Sequence, residues 1–285
     1  MVTESIHGAT FSEAYFKAAK AVLAAPVSVS RGLESREILD MKIVIDSPTT
    51  ALSLSGQRLR YLFGEAVWYA AGDTSIDWIL QYSKFWERIC DSERRVSSNY
   101  GHRIFRTSKT FFTALEMLRH DQGSRQAICH INVPTDLYRG NKDIPCTLGL
   151  QFFIRDDQLH LIVSMRSNDI WRGATFDIPN FFLFQQTARF LLLDKYPNLQ
   201  LGQYIHRAGS FHVYKEHYHL LEDMTATAFH DIPFQLSEPM VSADGQPAPL
   251  LRDLYRFCET SPDTISHAAP FFGLETHLAS AKVAA

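Results

Sequence analysis

Near residue 126 the spacing of apolar residues changes from the period of a helix to that of a strand, and this change restricts the fold more than any other feature. Upstream, residues 11–25 (FSEAYFKAAKAVLAA) have helical spacing and end at Pro26. Residues 56–71 read as a helix with Gly72 just past its end, and 76–88 and 108–119 read as two more. One early stretch, 38–46 (ILDMKIVID), alternates like a half-buried strand. From 126 the alternation dominates: QAICHINV over 126–133, then CTLGLQFFIR and QLHLIVSMR on either side of the hairpin signal Asp156-Asp157. Residues 176–193 are the longest candidate for a buried helix. LGQYIHRAGSFHVY is one long strand, or two with a bulge at Gly209, and a helix follows near 216–224. No internal repeat or low-complexity linker intervenes. The pattern predicts one α+β domain over 1–285, helices against one large sheet, with a loosely structured Ala-, Pro-, Ser- and Thr-rich tail over 261–285.

Composition narrows the function classes. With 28 basic against 31 acidic residues and 46% apolar content, the chain is neither a disordered polymer nor a basic nucleic-acid coat. A few arginines can still bind phosphate locally. Aromatic content of 12% points to a bulky core or a stacking pocket. The first residues (MVTESIHGATFSEAYFK) carry no basic stretch followed by an apolar run, so no secretory signal is expected. The most apolar stretch, Pro179 to Leu193, is interrupted by Gln185, Gln186 and Arg189 and is too short and polar to span a bilayer, so no membrane association is expected. Four cysteines (Cys90, Cys129, Cys146, Cys258) without a CxxC pair point to a reducing, cytoplasmic compartment.

Few residues advertise chemistry on their own. His212, His217 and His219 are close together but lack an HExxH or Cys/His pairing, so they read as surface or core histidines and no metal is expected. No Walker loop or GxGxxG follows any strand. Arg31, Arg125 and Arg166 each sit beside a small or hydroxyl residue (SRG, GSR, MRSND), which suits a guanidinium fork and a neighbouring donor to phosphate oxygens. Cys146 follows Pro145 and begins an apolar strand. By itself it reads as a buried inert thiol; reactivity would need nearby positive charge.

The run IPCTLGLQFFIRDDQLHLIVSMRSNDIWRGATFDIPNF resembles the centre of the thymidylate synthase family, with its Pro-Cys nucleophile, a Gln five residues on, R-S-x-D, and then Gly-x-x-Phe-Asn. LFGEAVWYAAGDTSI, FWERICDSERRVSSNYGHR, GSRQA and AGSFHVYKEHY resemble four further family strings in the same order, and the similarity covers roughly residues 28–225. The resemblance implies a thymidylate synthase-like fold, a large twisted mixed sheet packed by helices, with a sheet face used to form a homodimer. It implies that Cys146 adds to carbon 6 of a pyrimidine nucleoside monophosphate, so that carbon 5 attacks the one-carbon unit of the co-substrate 5,10-methylenetetrahydrofolate. Glu65 would order a proton-transferring water network, and Tyr100 would assist loss of the carbon 5 proton. Arg166, Ser167 and Arg125 would hold the phosphate, Arg125 from the second subunit. Arg31 is the flexible phosphate arginine, with Arg36 as its competitor. Gln151 and Asn168 join the nucleotide-binding set, His212 and Tyr214 bind the sugar 3′-hydroxyl, and Trp86 and Asp169 line the folate pocket.

Two departures bear on substrate. Asp177 stands where thymidylate synthases have Asn, and Thr147 where they have His; both resemble the deoxycytidylate hydroxymethylase branch. An amide matches the acceptor at carbon 4 and the donor at nitrogen 3 of uracil. Cytosine presents the reverse, and Asp177 can accept from its 4-amino group while sharing a proton with nitrogen 3. The expected activity is therefore 5-hydroxymethylation of dCMP, or CMP, with water ending the reaction. The alternatives are dCMP 5-methylation, thymidylate synthesis from dUMP with hydride from the folate, and an inactive nucleotide- or RNA-binding relative. Retention of Cys146, Glu65, Tyr100 and Arg166 speaks against the last, and no nucleic-acid partner is expected. Gln126 replaces the second Arg of the Ser-Arg-Arg string, and the terminal KVAA departs from the tail that closes over the synthase site.

Overall fold

The computed structural model describes residues 4–54, 56–227, 230–256 and 269–273. Its centre is a mixed sheet whose main path runs β1 (Ser5–Gly8), β3 (Leu33–Ile45), β9 (Gln200–Tyr214), β7 (Gln158–Met165), β6 (Thr147–Arg155) and β5 (Ile128–His130). β2 (Val27–Ser30) pairs with β3, and the short β8 (Asn168–Asp169) pairs with β9. β1–β3, β7–β9 and β8–β9 are parallel; the other pairings in this sheet are antiparallel. A two-stranded ribbon of β4 (Thr50–Leu52) and β10 (Asp231–Pro233) lies apart. Helices α1 (Phe11–Ala24), α2 (Gly56–Ala71), α3 (Thr110–His120), α4 (Thr175–Leu192), α5 (Tyr218–Ala226) and α6 (Pro249–Arg256) complete the described α+β architecture.

Alternation decides which sheet face is covered. Leu150, Phe152 and Ile154 of β6 and Leu159, Leu161 and Val163 of β7 are buried, whereas Gln151, Phe153, Ile162 and Ser164 are only half-buried. The buried side packs against α1, α3 and α4. Among those helices α4 is buried almost all round, and its polar residues explain how. Gln185 Nε2 donates to the Leu159 and Gly202 carbonyls at 2.7 and 3.1 Å, and Arg189 Nε donates to the Leu199 carbonyl at 2.7 Å. Gln186 Nε2 donates to the Pro48 and Phe234 carbonyls, and its Oε1 accepts from Leu236 N at 2.7 Å. The polar interruptions in the apolar run thus satisfy backbone groups at sheet and loop ends that water cannot reach.

Several sequence expectations need correction. Residues 76–88 are not one helix but two 3₁₀ turns, Ile79–Gln81 and Lys84–Arg88, because the Ser83 hydroxyl accepts from Phe85 N and starts a new turn. The strand expected over 126–133 shrinks to Ile128–His130. A π-helical turn, His102–Thr107, precedes α3, and the helix near 216–224 begins as the 3₁₀ turn Lys215–His217. LGQYIHRAGSFHVY is one strand in continuous register with β3, with Asp40 left-handed (φ 56°) opposite Gly209. The hairpin at Asp156-Asp157 forms with both residues left-handed (φ 50° and 55°), the conformation its two-residue turn requires. Most of the tail expected over 261–285, and Cys258, lie outside the described residues. Cys90, Cys129 and Cys146 are free thiols. No described helix is long and apolar enough to cross a membrane.

Candidate active site

Cys146 precedes β6 by one residue, and two sets of contacts fix the loop that delivers it. The Arg103 guanidinium pairs with both oxygens of buried Asp136 at 2.7 and 2.6 Å. Asp143 accepts from the backbone N–H groups of Ser97 and Ser98. The second contact ties the nucleophile loop to the segment that ends in Tyr100. A cavity of about 730 Å³ opens on these segments, lined in part by His102, Arg103, His130 and Asp143; Cys146, Glu65 and Asp177 take no part in it.

Arg166 is fixed from the same loop. Its Nε and Nη2 donate to the Pro145 and Ile144 carbonyls at 3.2 and 2.8 Å, and its backbone N donates to the Cys146 carbonyl at 2.8 Å. The guanidinium stays solvent-exposed beside the thiol. Burial pushes the Cys146 thiol up, Arg166 pulls it down, and Asp177 and Asp143 push it up again. The positive charge that a reactive cysteine needs is therefore present, supplied by a side chain that can also face a phosphate.

Two carboxyls face the thiol region from the helical layer. Glu65 of α2 is buried; its Oε1 accepts from the Tyr61 hydroxyl at 2.7 Å and its Oε2 from Asn180 Nδ2 at 2.8 Å. Burial, followed by the charge of Asp177, pushes the Glu65 carboxyl up to about 8. Asp177, in the first turn of α4, is pushed up to about 6 by burial, against the pull of Asn168 Nδ2, which donates to its Oδ2 at 2.8 Å. Near neutral pH this pair holds about one proton rather than none. Tyr15 fixes the turn into α4: its hydroxyl contacts the Ile170 carbonyl at 3.2 Å and Thr175 Oγ1 at 2.9 Å.

Tyr100 stacks between Tyr69 (5.4 Å) and Phe181 (5.8 Å), with its hydroxyl facing Thr147. Burial, then the charges of Asp177 and Cys146, push the phenol well above its ordinary value, so it remains a proton-bearing group. The Tyr-Gly string has a steric basis, since a Cβ at Gly101 would lie 1.8 Å from the Tyr69 carbonyl oxygen.

The remaining residues fall into two groups. Asn168 and Asp169 pair in β8 with Phe211 and His212 of β9, which sets Asp169 opposite His212, and the His212 and Tyr214 rings meet edge-on at 5.0 Å. Asp169 caps the next turn, its Oδ1 accepting from Trp171 N and Arg172 N at 2.7 Å each. Its Oδ2 is buried without a hydrogen-bond partner. Burial pushes this carboxyl up, against the pull of Arg172 N–H, His212 and His217. Ser167, between Arg166 and β8, is half-buried. Trp86 is buried edge-on to Trp68 at 4.9 Å. By contrast, Gln151 points to the uncovered sheet face and donates to the Arg125 carbonyl at 3.0 Å, so one chain does not bring either residue to Cys146. The exposed side chain of Arg125 is free to project from that face.

The hairpin between β2 and β3 separates Arg31 from Arg36. Arg31 occupies the turn itself (φ 53°, followed by Gly32 at 79°), exposed, with its charge felt at Tyr214. Arg36 is anchored: its Nη1 donates to the Leu23 carbonyl and its guanidinium lies 5.3 Å from the Tyr218 ring. Only Arg31 is free to swing.

Tyr61 and Asn180 escaped notice in the sequence although their spacing was visible. Tyr61 lies four residues before Glu65, and Asn180 three after Asp177, each on one helix face. Arg58 also went unnoticed; it stacks 3.7 Å from the Trp171 ring and donates to the Trp171 carbonyl, bracing the turn capped by Asp169. No cluster of three metal-ligating groups occurs among the described residues.

This arrangement can attack an electron-poor ring carbon, hold an anion beside the nucleophile and share protons above the ring. Residues 35–240 match the family model described as thymidylate synthase. The chain is 27% identical over 200 residues to the deoxycytidylate 5-hydroxymethyltransferases of Enterobacteria phages T4, T2 and T6, covering 67% of this chain and 80% of each relative. Proteins of this family are folate-dependent one-carbon transferases acting on pyrimidine nucleotides, with methylenetetrahydrofolate as co-substrate. On the breadth of that match, this chain belongs to the thymidylate synthase family and is an enzyme of that kind.

Proposed function

We propose that this protein transfers the one-carbon unit of 5,10-methylenetetrahydrofolate to carbon 5 of dCMP, or CMP, and releases the 5-hydroxymethyl nucleotide. The observation that carries the reading is the half-buried carboxyl of Asp177, pushed up to about 6 beside Glu65 at the position where the synthases have an amide. A carboxyl raised toward neutrality can accept from the 4-amino group with one oxygen and take up a proton shared with nitrogen 3 on the other. That proton withdraws electrons from the ring, which makes carbon 6 a better target for the Cys146 sulfur. Arg166, Ser167 and Arg31 hold the phosphate, with Arg125 reaching in from a second copy of the chain across the uncovered sheet face. His212 and Tyr214 take the sugar hydroxyl.

The folate supplies a one-carbon unit at the oxidation level of formaldehyde. The residues present suit it. The unpartnered buried Oδ2 of Asp169 is an acceptor for the N–H donors of a pterin ring, and Trp86 offers an aromatic wall. Tyr100 assists removal of the carbon 5 proton. Glu65, protonated up to about 8, relays protons through water, and Thr147 replaces the bulkier His of the synthases, leaving room for the water that ends the reaction. The whole chain acts as one domain, in keeping with a cytoplasmic homodimer that binds nucleotide and folate rather than nucleic acid.

Product analysis tests this directly. In separate incubations with methylenetetrahydrofolate, dCMP or CMP should give the 5-hydroxymethylcytidine nucleotide and tetrahydrofolate, identified by mass, whereas dUMP should give little product. Dihydrofolate with a methyl product would instead favour hydride transfer, and turnover of dUMP alone would make the enzyme a thymidylate synthase.

The dimer has its own test. Neither Arg125→Ala nor Cys146→Ala homodimers should turn over efficiently, yet mixing them should recover activity approaching one intact site per heterodimer. Proven subunit exchange without recovery would place all phosphate arginines on one chain.

Glu65 predicts a pH effect on stability. Between its ordinary value of 4.5 and about 8 the folded protein holds a proton that the unfolded chain has released, so stability falls as pH rises through that window. Glu65→Gln should flatten this slope, raising Tm at pH 8.5 relative to pH 5 while severely reducing turnover. An unchanged slope in thermal melts at the two pH values would refute the assignment.

A further inference from the structure

We propose that Asn168 is the positioning residue that makes this site read cytosine rather than uracil, by fixing which oxygen of Asp177 carries the proton. The inference rests on the cytidine reading above and extends it. A carboxyl group with one proton is ambiguous as a base reader. With its O–H toward nitrogen 3 and its free oxygen toward the 4-amino group it matches cytosine. With the proton moved to the other oxygen it presents O–H toward oxygen 4 and an acceptor toward N3–H, which matches uracil. An unconstrained acid therefore accepts both bases, and Asp177 alone does not discriminate.

The structure removes the ambiguity. Asn168 Nδ2 donates to Asp177 Oδ2 at 2.8 Å from a buried position, and the same nitrogen lies 2.8 Å from Met165 Sδ. An oxygen that accepts an amide N–H is a poor place for a proton, since the donor would have to be shed or turned away. Oδ2 thus remains an acceptor, and a proton taken up by the carboxyl goes to Oδ1. This proton placement matches cytosine when its 4-amino group meets Oδ2 and nitrogen 3 meets Oδ1.

The Asn168 side chain has little freedom to reverse this order. Backbone closes over both groups: a Cβ at Gly173 would lie 3.0 Å from Asn168 Oδ1 and 3.0 Å from Asp177 Oδ2. β8 pairing to β9 holds the Asn168 backbone from the other side. Removing the donor should also raise the Asp177 carboxyl further, because the Asn168 bond is what pulls it down.

The test is the ratio of kcat/KM for dCMP to that for dUMP in wild type, Asn168→Ala and Asn168→Ser, with methylenetetrahydrofolate and Asp177 left in place. A partly misfolded variant loses both activities equally, so the ratio is insensitive to the folded fraction. In Asn168→Ala the ratio should fall by about tenfold to a hundredfold, the range for one hydrogen bond to a charged group. Asn168→Ser, which keeps a hydroxyl donor, should recover part of it, and the alkaline limb of the kcat profile for dCMP should move to higher pH in Asn168→Ala. An unchanged ratio, or equal losses on both nucleotides, overturns the inference. A wild type that does not use dCMP overturns the cytidine reading beneath it, a different result visible before any variant is made.

Discussion

Cys146→Ser should lower turnover by on the order of 10⁴-fold or more while nucleotide binding persists, which is the size of effect that follows loss of a covalent nucleophile. The side chain proposed to hold the phosphate, Arg166, is anchored to the Ile144 and Pro145 carbonyls and does not depend on the sulfur. A serine hydroxyl ionises far less readily than a thiol, and Arg166 is too weak a source of positive charge to offset that difference. The measurement is single-turnover chemistry alongside equilibrium binding of dCMP. Near-normal turnover in the variant would remove the covalent mechanism. Loss of binding together with turnover would mean that the substitution had disturbed the loop held by Asp143 and Asp136.

The second large effect concerns Asp177. Asp177→Asn should move the kcat/KM ratio on the order of 10³-fold from dCMP toward dUMP, the scale on which a buried hydrogen-bonding site rejects a mismatched partner. An amide has a fixed donor and a fixed acceptor and carries no mobile proton, so it complements uracil and leaves nitrogen 3 of cytosine without a proton. Phosphate affinity should be nearly unchanged, because Arg166 and Ser167 lie on a separate segment. The change should appear mainly in kcat, where negative charge develops on the ring. If wild type already prefers dUMP, or if the ratio does not move, Asp177 is not the base reader and the substrate reverts to that of a thymidylate synthase.

The acidic groups also decide where the enzyme works best. In the proposed reaction Asp177 shares a proton with nitrogen 3; its carboxyl is pushed up to about 6, while Glu65 is pushed up to about 8. Their ionisations are linked, since the charge of Asp177 raises the Glu65 carboxyl. Activity on the cytidine nucleotide should therefore decline above about pH 8, as the second proton leaves, and this decline should be absent for the same enzyme's phosphate-driven binding of the nucleotide.

The sequence by itself determined the long central strands and the long buried helix, and its strings pointed to the candidate site residues. The Asp156-Asp157 turn, the α4 run and the spacing of His212 and Tyr214 are local signals, because each depends on backbone conformation or on the period of one element. Family motifs then named Cys146, Glu65, Asp177 and Arg166 without any knowledge of their distances. The helix expected over 76–88 broke into two turns because capping by Ser83 outweighed apolar spacing, a competition between a side-chain hydrogen bond and a periodic pattern that composition does not resolve. Only the tertiary structure shows that Arg36 is anchored, since its partners, the Leu23 carbonyl and the Tyr218 ring, come from other elements. The same holds for the proton-bearing state of Glu65 and Asp177. A carboxylate has an ordinary affinity for protons in any sequence; desolvation by the surrounding layers, the donors of Tyr61, Asn180 and Asn168, and the approach of one carboxyl to another exist only once α2, α4 and β8 are packed together.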